Sequence, residues 1–192
     1  MALTPSTMLP LLTKAPDFSL PDTDGREVCL EDLSDAQGLV VMFISNHCPF
    51  VVHLKTELTR FAEDYAGRIN VVAIGSNDLK TYPQDGPTAM RSDKEEFGYP
   101  FPYLFDGGQT VAQSYRAACT PDFYLFNAQS ELIYRGQFDG SRPGNDVPVT
   151  GGDLRSACDA LLKGAPQVTE QTPSMGCNIK WAVGNEPDYF TR

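Results

Sequence analysis

Apolar positions along the chain recur in two rhythms. Gly38-Leu-Val-Val-Met-Phe-Ile44 is a continuous apolar run bounded by turn residues, the pattern of a strand buried on both faces. Over residues 48–66, Val51, Leu54, Leu58, Phe61 and Tyr65 fall at helical spacing, and Pro49 suits a first turn. Ile69–Gly75 is a second buried strand, so the three segments form a βαβ crossover with parallel strands and a right-handed connection. On either side lie two hairpins. Asp17–Leu20 and Arg26–Leu30 flank Pro21-Asp-Thr-Asp-Gly25, and Asp122–Asn127 alternates with Glu131–Gly136 around Ala128-Gln-Ser130. Helical patterns cover Gln109–Ala117 and Asp153–Lys163, and Tyr103–Phe105 is extended. Residues 77–102 are polar and rich in Pro and Gly, which predicts a long loop with a short helix near Arg91–Phe97.

These elements add up to an α/β domain over residues 1–164, with one mixed central sheet, helices on both faces and an N-terminal β-hairpin. From residue 165 to 192 too few apolar positions recur for an element, and an extended C-terminal tail packed on the domain is expected. At 192 residues the chain buries a full core without covalent staples. Its net charge of −10 argues against nucleic acid and against an anionic membrane surface. Met1–Pro16 lacks a basic segment and a small-residue cleavage site, so no signal peptide, and a cytoplasmic location, are expected.

The five cysteines, at 29, 48, 119, 158 and 177, are odd in number and widely spaced, a poor disulfide framework. Cys48 stands out. It lies between a buried strand and the first turn of a helix, in Ser45-Asn-His-Cys-Pro-Phe-Val-Val-His53, where backbone N–H groups and the helix dipole favour the thiolate. Ligands also tend to bind beyond the carboxyl ends of parallel strands. His47 and His53 flank the thiol, and His47 is the better placed to support it. No tight ligand pairing of the zinc type is present, and neither a metal nor another cofactor is expected. Cys29 and Cys158 read as fillers. Thr120-Pro121 precedes the apolar run Phe123–Phe126, and a proline there fits an edge strand or a cis bond.

The order Ala15-Pro-Asp-Phe-Ser-Leu-Pro-Asp-Thr-Asp-Gly25, Phe43-Ile-Ser-Asn-His-Cys-Pro49 and Thr120-Pro-Asp-Phe-Tyr-Leu-Phe126 resembles the thioredoxin-like redoxin superfamily, in its alkyl hydroperoxide reductase/thiol-specific antioxidant group. A peroxiredoxin-like branch of it carries motifs similar to Arg142-Pro-Gly-Asn-Asp146 and Gly176-Cys-Asn-Ile-Lys-Trp181. The resemblance implies a thioredoxin-like fold, Cys48 as attacking thiol, and Pro121 as a cis-proline beside it. It also implies that Thr120 offers its backbone to an extended substrate, and that Arg142 belongs to a site-lining loop.

The departures are informative. Thioredoxin-type enzymes use CxxC, but the second position here is Val51. Peroxiredoxins use PxxxTxxC; Ser45 matches the hydroxyl, with Asn46 and His47 following, but Val41 replaces the proline. The peroxidase arginine falls at Pro121. The candidate resolving thiols are Cys119, two residues before Pro121, and, second, Cys177, on the tail. The leading expectation is a thiol-disulfide oxidoreductase acting on a protein or small-molecule disulfide or peroxide, with a thiol as electron donor. The alternatives are a thiol peroxidase of antioxidant type, and a redox-inert thioredoxin-like binding module using the Thr120-Pro121 groove.

Overall fold

The computed structural model describes residues 3–190. Its centre is a five-stranded sheet of β4 (Gly38–Phe43), β5 (Ile69–Gly75), β6 (Tyr103–Phe105), β8 (Asp122–Asn127) and β9 (Leu132–Gly136), in the order β6-β5-β4-β8-β9. Strands β4, β5 and β6 run parallel, and β8 and β9 run antiparallel to their neighbours. The sheet is therefore mixed, as the sequence predicts. The first hairpin pairs β2 (Ser19–Pro21) with β3 (Glu27–Cys29).

Side chains alternate across the pleat, which splits the core in two. Val40, Met42, Ile44, Val71 and Ala73 face Leu58 and Phe61 of α2 (Lys55–Asp64), Met90 of α3 (Pro87–Phe97) and Leu154 of α5 (Gly152–Leu162). Leu39, Val41, Phe43, Val72 and Ile74 face Val111 and Ala112 of α4 (Thr110–Ser114), together with Phe18 and Val28. Each buried Val, Leu, Ile, Met or Phe side chain among them contributes about 1.5–3 kcal/mol by leaving water. No helix among the described residues is long and apolar enough to cross a membrane.

Four expectations change in detail. The helix expected over 48–66 is two helices, α1 (Pro49–Val52) and α2, because Leu54 N–H bonds to Val51 O in a tight turn that buries both side chains. Helix α3 begins four residues earlier than its apolar pattern, at Pro87 in the first turn, and stops at Gly98 with φ 65°. Helix α4 is shorter than expected and gives way to Arg116 at φ 51°. The largest change is in the tail. Met175–Asn178 forms strand β10, which lies between β1 (Leu3–Pro5) and β7 (Cys119–Thr120) in a second sheet of order β1-β10-β7. Three or four residues show no periodicity, and here backbone pairing holds them.

Lys55 of α2 is buried and donates to the Asp93 carboxylate of α3, with its ammonium 4.8 Å from the centre of the Phe97 ring. Replacing Lys55 with Met leaves the Asp93 carboxylate buried without a cation, with only the long 3.4 Å bond from Tyr99 OH. The expected loss is about 3–5 kcal/mol in urea unfolding, largely recovered in Lys55→Met/Asp93→Leu.

Candidate active site

Cys48 caps α1 just beyond the carboxyl end of β4 and has extended backbone (φ −65°, ψ 120°). Its carbonyl accepts the first helical bonds, from Val51 N–H at 2.9 Å and Val52 N–H at 2.8 Å. Because α1 is a single turn, the dipole it lends the thiol is smaller than a continuous 48–66 helix would supply. The residue is 1% exposed, and Sγ donates to Thr120 O at 3.1 Å. The Thr120–Pro121 peptide is cis.

Strand β10 pairs antiparallel with β7, setting Cys177 opposite Thr120 and Asn178 opposite Cys119. That register brings the Cys177 thiol into hydrogen-bond contact with Cys48. Burial, and after it this hydrogen bond, push the Cys177 thiol up to about 12. Gly176 makes the approach possible. A Cβ there would sit 2.0 Å from Thr120 O and 3.2 Å from Pro121 Cδ.

Cys119 is fully buried, with Sγ 3.5 Å from Pro121 O. Burial, then the neighbouring Asp122 charge, raise its thiol well above the usual value, and the nearby Cys48 and Cys177 add to the rise. Cys158 is buried in α5 and likewise held protonated by desolvation, and Cys29 lies half-buried beside Ser19 Oγ at 3.2 Å. All five cysteines are thiols. Among the described residues no group of three or more His, Cys, Asp or Glu side chains is arranged to hold a metal ion.

The loop that carries Cys48 is organised by Asp85, a buried carboxylate. It accepts from Ser45 Oγ at 3.1 Å, Asn46 N–H at 3.1 Å and Asn77 Nδ2 at 2.7 Å, and it lies 2.8 Å from His47 Nδ1. His47 stacks on Tyr82, with ring centres 5.3 Å apart and planes 6° apart. Asn46 Oδ1 accepts from Tyr103 OH at 2.9 Å. The Ser45 hydroxyl thus donates to Asp85, and its donor is engaged away from the thiol.

The AhpC/TSA family model matches residues 11–138, about two thirds of the chain. The chain is a member of the AhpC/TSA family. It is 52% identical to an uncharacterized conserved protein of Geobacillus kaustophilus, over 95% of this chain and 97% of that one, with a TM-score of 0.93. It is 24% identical over 123 residues to the thiol-disulfide oxidoreductase ResA of Bacillus subtilis (strain 168). That match spans 62% of this chain and 63% of the relative's length. A secreted Mycobacterium tuberculosis disulfide oxidoreductase, homologous to E. coli DsbE, shares the thioredoxin-like fold at TM-score 0.58 and 17% identity, over 74% of this chain and 95% of that one.

In this AhpC/TSA chain the Arg142 loop satisfies itself. The guanidinium donates to Asp139 O at 2.7 Å, Ser141 O at 2.6 Å and Gln137 Oε1. Burial pushes the Asp139 carboxyl upward. Hydrogen bonds from Ser141 and from the Thr150 and Gly151 N–H groups outweigh it and hold the carboxyl below its usual value. Arg142 lines a small cavity with Phe50, Pro121 and Met175, which has room for no more than a water or two. The cysteines at 48, 119 and 177 come together around Thr120, Ser45 to His47 gather on Asp85, and Arg142 sits across Pro121. Asp85, Asn77, Tyr82 and Gly176 are the site residues that sequence reasoning missed. A lone Asp in a polar loop carries no spacing signal, and the Gly176 motif carries no sign of its steric reason.

Asp122, next to Pro121, is fully buried, and desolvation raises its carboxyl to about 7 although Tyr124 OH donates to it at 2.9 Å. A native pKa raised above the unfolded value stabilises the fold below the unfolded pKa, and that contribution is lost as pH rises through about 7. Asp122→Asn keeps an acceptor for Tyr124 and does not titrate. Its stability relative to wild type should therefore rise by a few kcal/mol between about pH 4 and about pH 8, read from urea midpoints. A difference that stays flat over this range contradicts the assignment.

Proposed function

We propose that the chain is a thiol-disulfide oxidoreductase in which Cys48 attacks and Cys177 resolves. The observation that carries the reading is the pairing of β10 with β7, which sets the buried Cys177 opposite Thr120, the residue whose carbonyl accepts from the buried Cys48 thiol. In the first step the Cys48 thiolate attacks a disulfide RSSR, forming a mixed Cys48–S–S–R disulfide and releasing RS⁻, which takes a proton. In the second, Cys177 attacks the Cys48 sulfur and expels the second RS⁻, which takes the Cys177 proton. The net change is one RSSR reduced to two RSH while Cys48 and Cys177 are oxidised to a disulfide. A thiol donor reverses it.

The absence of CxxC is no obstacle to this cycle, because the second thiol arrives from another strand. Cys119 sits one register position further along, and its thiol lies against Pro121 O. Engagement of the Ser45 hydroxyl with Asp85 weighs against the peroxidase alternative. Similarity to the Bacillus subtilis oxidoreductase is consistent with disulfide chemistry.

The test is thiol mapping by mass spectrometry after one equivalent of bis(2-hydroxyethyl) disulfide. Wild-type protein and Cys119→Ser should both yield a 48–177 disulfide, Cys177→Ser should accumulate the mixed disulfide at Cys48, and Cys48→Ser should react only at the background rate. A 48–119 disulfide would sink the assignment of Cys177. Cys48 resting as a sulfenic acid after peroxide, with no disulfide from either oxidant, would favour the peroxidase.

A further inference from the structure

The strand edge nearest the Cys48 thiol is β7, whose Thr120 carbonyl is 3.1 Å from Sγ. A free edge beside a reactive thiol is where an extended polypeptide would add a strand and present its own sulfur. This edge is not free. Strand β10 occupies it, with Cys177 in the position a bound chain's cysteine would take, directly opposite Thr120.

β10 is fixed on both sides. Its other edge pairs with β1, Leu3 opposite Cys177, Thr4 opposite Gly176 and Pro5 opposite Met175. Just upstream, Ser6 N–H bonds to Ser174 O at 2.9 Å, and Ser174 Oγ donates to Gly136 O. Downstream, Ile179 N–H bonds to Ala118 O at 3.0 Å and Lys180 N–H to Asn77 Oδ1 at 2.8 Å, while Lys180 O accepts from Asp78 N–H and Gln109 Nε2. A second strand cannot share the edge, since Gly176 already touches the Thr120 carbonyl so closely that not even a Cβ fits. Cys48 itself is 1% exposed, beside the exposed Pro49 and Val52 of α1, so whatever reaches the thiol from that side must be small.

Resting on the exchange reading above, we infer that the substrates of this site are compact: low-molecular-weight disulfides as oxidants and low-molecular-weight thiols as reductants, with extended protein disulfides excluded by β10. The chain holds its own peptide in the groove, and the two-step exchange needs from outside only a sulfur small enough to meet Cys48 along the S–S axis.

The experiment compares rates of thiol loss from reduced wild-type protein with two oxidants carrying the same leaving group. One is bis(2-hydroxyethyl) disulfide, and the other is an unstructured ten-residue peptide whose central cysteine is disulfide-linked to 2-mercaptoethanol. The peptide is expected to react at least about 100-fold more slowly, since β10 fills the groove that its backbone would have to enter to bring its sulfur to Cys48. Gly176→Val, whose side chain drives β10 away from Thr120, should raise the peptide rate and narrow the gap. If Gly176→Val does not fold, the wild-type ratio decides alone. Equal rates for the two oxidants would overturn the inference and leave Cys48 as the attacking thiol. No reaction of Cys48 with either would overturn the exchange reading, and this inference with it.

Discussion

The Thr120 carbonyl oxygen has two neighbours at once. The Cys48 thiol donates to it at 3.1 Å, and the Gly176 backbone lies so close that a Cβ there would overlap it. This double contact sets the register of β10 against β7, and the register sets where Cys177 falls. A slip of one residue would turn Cys177 to the other face of the strand and put a different side chain opposite Thr120. The second sheet, short as it is, is therefore the device that makes two thiols distant in sequence into a pair. Its anchors in Ser6, Ser174, Asn77 and Gln109 protect the strand against that slip.

The loop on the other side of Cys48 is held by a different kind of force. Asp85 is buried, and it is tolerated there because four groups from the Cys48 loop and Asn77 converge on it. Asn77 joins the two halves of the site, since its side chain also binds the Lys180 backbone at the end of β10. One amide thus couples the Asp85 cluster that positions Cys48 to the strand that positions Cys177.

The central sheet was legible because its strands are long and apolar, and pleat and periodicity say the same thing over six or seven residues. Cys48 was legible for a related reason, as the junction of such a strand with a helical pattern. What the sequence hid is what backbone pairing or single contacts decide. β10 reads Met-Gly-Cys-Asn, which favours no strand, and it pairs because its partners on both sides are already in place. Asp85 sits in a stretch that reads as loop, and only the fold shows its four partners. Ser45 shows the residue in sequence without its orientation. Its position in sequence matches a peroxidase hydroxyl, but Asp85, forty residues away, determines where that hydroxyl points.

In the exchange proposed above, the raised Cys177 thiol bears on the order of the two steps. Burial and the hydrogen bond with Cys48 hold Cys177 protonated, which in the proposed exchange suits it to the second step and not to the first. Once Cys48 is bound in a mixed disulfide, the thiol partner in that hydrogen bond is gone, and what lies beside Cys177 is a disulfide sulfur with a leaving group. The departing thiolate can take the proton that had kept Cys177 inert. On that proposal, the same contact that restrains Cys177 before the first step places it against its target for the second. A CxxC pair reaches this arrangement within one helical turn, and here β10 supplies it across the sheet.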